Sequence, residues 1–344
     1  MTLRGRAARD TVGPFHRVPQ GEPGRSLKHA LLVALAALAV WPAAPAVTAV
    51  RQDRLLENHG VAVVELRSQA MASGAEEFKA FEAAGWSRRA NTYGRVTGAI
   101  TARFVDPLLD AARVGAGMRV LDVATGPGHV AAAAAARRAE PVGVDIAEGM
   151  LAVARRDYPQ LDFRHGDAEA LPFADSSFDA VVGAFVLNHL PRPEVAAAEL
   201  ARVLGSGGRL ALSVWDVPER TRFIGLVRDA VARAGAPPSA KPPGGPDPFR
   251  FADDAQLRAL LEHAGLEDVA VETVALRHRV QGDAMELWDG LLAGSVRSAA
   301  AVEALSPPAR ERARGAFAEL VEPHRVAGGH ELPAVAKVGS GRGP

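Results

Sequence analysis

Between Arg119 and Asp216, short runs of valine and leucine alternate with alanine-rich segments of helical period. This alternation restricts the chain to an open, mostly parallel sheet with helices on both faces. Parallel neighbours need a crossover between them, and strands buried on both sides read as continuous apolar runs. The pattern predicts strands at Val120–Ala124, Val142–Asp145, Leu161–Arg164, Asp179–Val186 and Arg209–Val214, with helices at Val130–Arg138, Gly149–Arg156 and Val195–Leu204 between them. Two further strands, Val269–Leu276 and Ala334–Val338, bring the expected α/β sheet to seven strands. Helices are expected at Asp254–Ala264, Ala284–Val302 and Ala309–Val321, and the breaker-rich stretch Pro237–Pro248 reads as a loop. Upstream, Phe78, Phe81 and Trp86 mark a helix ending near Gly85, and Ile100, Phe104 and Leu108 mark a second one after Tyr93.

The turn after the first strand carries the most chemistry. Val120-Leu121-Asp122-Val123-Ala124-Thr125-Gly126-Pro127-Gly128 puts a carboxylate near the end of a buried strand and glycines just beyond it. Glycine allows tight turning and close backbone approach, and the next helix begins with free N–H groups. Asp145 ends the second strand, where a carboxylate can accept from both hydroxyls of a ribose. Together they describe a nucleoside site. Alone, Gly126-x-Gly128-x-x-Ala131 also satisfies the dinucleotide fingerprint of nicotinamide enzymes.

Composition narrows the chemistry further. Lysine plus arginine and aspartate plus glutamate each number 40, so no net field favours a polyanion, and nucleic acid is not expected as a partner. The absence of cysteine removes disulfides, thiolate metal sites and every mechanism with a cysteine nucleophile. No metal site is expected, and no oligomeric state is assigned.

Four motifs follow one another in order: Val120 to Gly128, then Gly143-Val144-Asp145, then Gly166-Asp167-Ala168-Glu169-Ala170-Leu171-Pro172-Phe173, then Ser177-Phe178-Asp179. With the junction from Arg202-Val203-Leu204 to Gly207-Gly208, they resemble the class I S-adenosylmethionine-dependent methyltransferases, of the type that includes the ubiquinone and menaquinone C-methyltransferases. The resemblance runs from about Phe78 to Gly341 and implies a Rossmann-like fold, S-adenosyl-L-methionine as cofactor and methyl transfer to a small organic acceptor. It also implies that Asp122 and the backbone of Ala124, Gly126 and Gly128 hold the methionine part, Asp145 the ribose, and Ile146, Asp167 and Ala168 the adenine, while Phe185 and Val186 line the methionine moiety. Ala124 stands where many relatives have glycine, and Gly205-Ser206 replaces the usual basic residue and proline.

A sulfonium methyl is already activated, so alignment and exclusion of water supply most of the rate, and a base is needed only if the acceptor must lose a proton. His189, just after the fourth strand, is the best-placed candidate, though it can equally cap or pack at a strand end; Tyr93 comes second, with ordinary core packing the preferred account of it. His129 beside the glycine turn reads as solvated, and Trp288 and Phe317 as cap or core aromatics. Two other functions compete. A nicotinamide oxidoreductase lacks support because Tyr93 and Tyr158 are followed four places on by Thr97 and Asp162 rather than lysine. A non-catalytic cofactor-binding module would be expected to show eroded cofactor motifs, and these are intact.

The expected organisation is a methyltransferase domain over 76–344, with its cofactor core at 117–216 and helical cap elements at 76–110 and 283–323 outside the carboxyl ends of the strands. Residues 1–70 are alanine, arginine, glycine and proline filler with a signal-like apolar run, Ala30 to Trp41, after Arg25, Lys28 and His29. Twelve apolar residues are too few to span a bilayer comfortably, and the run lies far inside the chain for a signal peptide. The expectation is a cytoplasmic enzyme whose working chain begins near Met71, without stable membrane association. Export or anchoring through residues 25–49 is the alternative.

Overall fold

Strand β1 (Arg119–Val123) is exposed only at its first residue; Val120, Leu121, Asp122 and Val123 are all buried, as a central parallel strand requires. In the computed structural model, which describes residues 73–235 and 245–344, β1 lies between β2 (Glu140–Asp145) and β4 (Phe178–Ala184), with β3 (Asp162–His165) beyond β2. All three pairings are parallel, as is that of β4 with β5 (Leu204–Trp215). Beyond β5 the direction reverses: β8 (Gly329–Arg342) pairs antiparallel with β5 and with β6 (Glu267–Gln281), while the two-residue β7 (Arg325–Val326) pairs with β8. Among the described residues the sheet thus has eight strands, one more than expected, in the order β3-β2-β1-β4-β5-β8-β6 with β7 off this path. The strand order reverses between β1 and β4, which opens a crevice beyond their carboxyl ends.

Alternate side chains of the central strands feed two cores. Leu121, Val123 and Val181 pack with Leu200 of α6 (Pro193–Val203) and with Leu257 and Leu261 of α8 (Asp254–His263). On the other face Val120, Ala180 and Val182 meet Leu108 and Leu109 of α3 (Val105–Ala111) and Val130 and Ala134 of α4 (His129–Ala136). Helix α5 (Glu148–Asp157) follows β2. Most helices and strands begin within two residues of their sequence-based positions, but β6 and β8 run well past theirs because antiparallel pairing on both sides of β8 carries them on.

Four expectations are corrected. Helix α1 spans 73–93 and so continues through Gly85; a Cβ at Gly85 would clash with Val296, so this glycine marks a close helix contact rather than a helix end. The second N-terminal helix is broken into α2 (Thr97–Thr101), a 3₁₀ turn over Ala102–Phe104, and α3. Helix α7 (Arg222–Arg233), unforeseen, buries Phe223, Leu226, Val227 and Ala230 at i, i+3, i+4 and i+7. The helix expected over 284–302 is two, α9 (Ala284–Ala293) and α10 (Val296–Glu303), because Ser295 caps a new start on the amide of Ser298. In the helix that follows, α11 (Pro307–Val321), Phe317 packs on Trp288 with ring centroids 5.0 Å apart, both deep in a core. Residues 1–70, the signal-like run, Met71 and most of the Pro237–Pro248 stretch lie outside the described residues.

Candidate active site

The cavity at the crevice holds about 1130 Å³ of space, its open mouth included. Its floor is the turn after β1. Ala124 and Gly126 both adopt left-handed backbone, at φ 54° and 55°, and line the cavity. A Cβ at Gly126 would meet nothing within 4 Å, so the missing side chain leaves room for a ligand against the backbone. Ala124 takes the same left-handed conformation with a Cβ, so the departure from glycine is a strained position on the cavity wall.

Asp122 and Gly128 are not where the resemblance implied. Asp122 is buried beneath the turn and does not line the cavity; Oδ2 accepts from the Thr125 hydroxyl at 2.5 Å and from the Ala131 amide at 3.0 Å. Its place is that of an internal brace for the turn. Gly128 spends its amide on the Thr125 carbonyl, and a Cβ there would lie 2.8 Å from Phe163, so this glycine serves the packing of α4 against β3.

Burial, against the two hydrogen bonds and with nearby Asp145 adding to it, pushes the Asp122 carboxyl from 3.8 up to about 7. A raised carboxyl stabilises the fold fully below its unfolded value and loses that contribution as pH rises through the folded one. Stability should therefore fall between pH 4 and pH 8 by as much as roughly 4 kcal/mol through this group. Asp122→Asn keeps an oxygen for both donors and removes the charge, so denaturant unfolding of the variant should lose most of that slope. An unchanged slope would mean that Asp122 stays ionised in the fold.

Asp145 ends β2 on the cavity wall, its Oδ2 on the Gly126 amide at 2.8 Å and its Oδ1 on the Ala147 amide at 2.7 Å. Burial raises its carboxyl against those two bonds. Ile146 follows on the same wall. After β3, Asp167 and Ala168 also line the cavity. Asp167 accepts the Glu169 amide on Oδ1 at 2.9 Å and is held on Oδ2 by Lys79 of α1 at 2.6 Å. Burial alone would lower the Lys79 ammonium, but its bonds to Asp167 and to Glu169, at 2.7 Å, outweigh it and hold Lys79 above its ordinary value. Arg192 closes the far side of this network on Glu169 and Glu76.

The end of β4 supplies the opposite wall. Phe185, at φ 58°, stacks on Trp215 with centroids 3.7 Å apart, and Val186 adjoins it; both line the cavity. The 3₁₀ turn Leu187–His189 then places His189 in the cavity, its Nδ1 3.0 Å from Oε2 of Glu82 on α1. Tyr93 lines the same region with its hydroxyl 2.9 Å from that of Thr101 and its ring edge-on to Trp86; burial raises its phenol, which makes it a wall and a hydrogen-bonding group rather than a base at neutral pH. His129, expected in solvent, is half-buried on the cavity wall, and burial lowers it.

Eight of the ten expected cofactor residues thus line one cavity together with His189 and Tyr93. Lys79, Glu82 and Trp86, one face of α1 at helical spacing, were not foreseen; their i, i+3, i+7 spacing was the available signal. Helices α9 to α11 contribute nothing to the cavity lining; α9 and α10 pack against α1, where Arg89 reaches the Leu292 carbonyl, Thr92 the Ala293 carbonyl and Val296 meets Gly85.

The family model for the methyltransferase domain matches residues 121–212, from within β1 to within β5. A demethylmenaquinone methyltransferase of Renibacterium salmoninarum is 40% identical over 134 residues, 39% of this chain and 56% of that protein, so the match spans little more than half of this relative. Those of Paenarthrobacter aurescens and of a Mycobacterium species are 32% and 34% identical, over 51% and 55% of this chain and 72% and 78% of theirs. The chain belongs to the class I S-adenosylmethionine-dependent methyltransferases. Its cofactor is S-adenosylmethionine, and the cavity of this methyltransferase suits it: an open backbone cradle at Gly126, carboxylates at Asp145 and Asp167 for a cationic nucleoside, and apolar wall at Ile146, Phe185 and Val186.

Proposed function

We propose that this methyltransferase transfers a methyl group to a small aromatic acceptor bearing a ring hydroxyl, a reduced quinone or a related phenol, and works in the cytoplasm. One observation carries the reading: a single cavity is lined both by the carboxylate-bearing turns around Gly126, Asp145 and Asp167 and by the aromatic and apolar groups Trp86, Tyr93 and Leu190, with His189 against Trp86. The names of the demethylmenaquinone methyltransferase relatives support a quinone-type ring.

In this reading Asp145 accepts from the ribose hydroxyls, Ile146 packs on the adenine, and Asp167 and the amide of Ala168 bind its edge, with Lys79 keeping Asp167 in place. The backbone of Ala124 and Gly126 approaches the methionine part, beside Phe185 and Val186. When bound, the cofactor supplies an electrophilic methyl; the chain's part is to hold the acceptor in line with it and to receive the acceptor's proton. The test is incubation with S-adenosylmethionine and reduced 1,4-naphthoquinone, 1-naphthol or catechol, followed by mass spectrometry. A gain of one CH₂, about 14 daltons, on at least one ring is expected, since methyl replaces hydrogen. No gain on any of them, with cofactor bound, would remove this acceptor class.

A further inference from the structure

We infer that Glu82 is a positioning residue that fixes His189 as the proton acceptor of the cavity, and that the acceptor it serves carries an ionisable hydroxyl. This rests on the reading of the cavity given above. Glu82 and His189 are 107 residues apart in the chain and meet only because α1 crosses the turn after β4. The Glu82 side chain is 4% exposed, and its Oε2 accepts from Trp86 Nε1 at 2.9 Å as well as facing His189 Nδ1 at 3.0 Å. An ionised carboxylate can only accept, so Nδ1 carries the ring proton and Nε2 keeps its lone pair. Trp86 stands edge-on to the imidazole, centroids 5.1 Å apart, and fixes the plane of the ring.

A simple clasp between α1 and the β4 turn is the bland account. Yet α1 is already fastened by Lys79 to Asp167 and Glu169, and by Ser87 to the Gly149 amide. Moreover, the second oxygen of Glu82, Oε1, is buried with no partner among the described residues, in a residue that lines the cavity. An unpaired buried carboxylate oxygen is costly, and a donor on the ligand would satisfy it. The other charged or titratable groups near the pair are Asp145 at the end of β2, Tyr93 and Lys79 on α1, and Arg297 of α10, whose guanidinium binds the carbonyls of Asn188 and Pro246.

In the step served, the acceptor's O–H proton passes to Nε2 of His189, and the oxygen, or a ring carbon conjugated to it, bonds to the methyl carbon as the methyl–sulfur bond breaks and its electron pair stays on sulfur. The imidazolium, stabilised by Glu82, then returns its proton to water. When carbon attacks, the ring hydrogen it carried is lost as aromaticity returns and the oxygen is reprotonated.

The test combines Glu82→Gln, His189→Ala and the double variant, assayed with reduced 1,4-naphthoquinone across pH, with ¹⁵N NMR of the His189 ring in protein saturated with S-adenosylhomocysteine. Glu82→Gln should cut kcat about tenfold and shift the ring toward the tautomer protonated on Nε2, since the carboxylate that holds the Nδ1 proton is gone. Cofactor affinity should stay within about threefold, and the double variant should be no slower than His189→Ala, because groups acting as one unit are not additive. An unmoved tautomer with losses that multiply would overturn the inference. So would a parent ring protonated on Nε2 rather than Nδ1, a result that needs no variant to fold. Absence of product from every ring tests the acceptor class alone and leaves the NMR result standing.

Discussion

Asp145→Ala should lower affinity for S-adenosylmethionine by about 10²- to 10⁴-fold, since hydrogen bonds to a charged group contribute roughly 1.5–3 kcal/mol each and two ribose hydroxyls would lose their acceptor. The same carboxylate holds the amides of Gly126 and Ala147, so the change also frees the backbone of the glycine turn. A lowered melting temperature should accompany the affinity loss, which sequence alone did not foretell, because a strand-end aspartate facing a cleft carries little packing of its own. Calorimetry with cofactor and a thermal melt separate the two effects. Parental affinity in the variant would place the ribose elsewhere.

His189→Ala should slow turnover by about 10²–10⁴, the usual contribution of a general base, while leaving cofactor affinity within about threefold. The split follows from bonding: His189 lines the cavity against Trp86 and is bonded to Glu82 rather than to Gly126, Asp145 or Asp167. Steady-state kinetics on a hydroxylated ring, with calorimetry alongside, measures both halves. A loss in turnover below about tenfold would assign the histidine to packing and leave the acceptor's own acidity to release the proton.

The fold was legible where period and punctuation agree. Strands β1, β2 and β4 and their crossover helices follow directly from valine runs, glycine turns and alanine-rich segments, and Asp145 and Phe185 fall at the ends of β2 and β4 as expected. The failures have tertiary causes. Gly85 looks like a helix stop but sits inside α1 because Val296 presses against it, and β8 runs through a glycine-rich tail because β5 and β6 pair with it on both sides. Asp122 was misplaced because its spacing marks a turn without telling which side of that turn the carboxylate faces, and it is buried on the inner side. Glu82 was invisible as chemistry, since nothing local distinguishes it from the other acidic residues of α1 until the turn after β4 brings His189 against it.

The most direct measurement is a crystal structure of the protein with S-adenosylhomocysteine. The account predicts the ribose hydroxyls on Asp145, the adenine against Ile146 with its edge at Asp167 and Ala168, and the sulfur facing the part of the cavity that contains His189 and Tyr93. A nucleoside bound away from Asp145, or one whose sulfur turns from His189 toward closed protein, would contradict it.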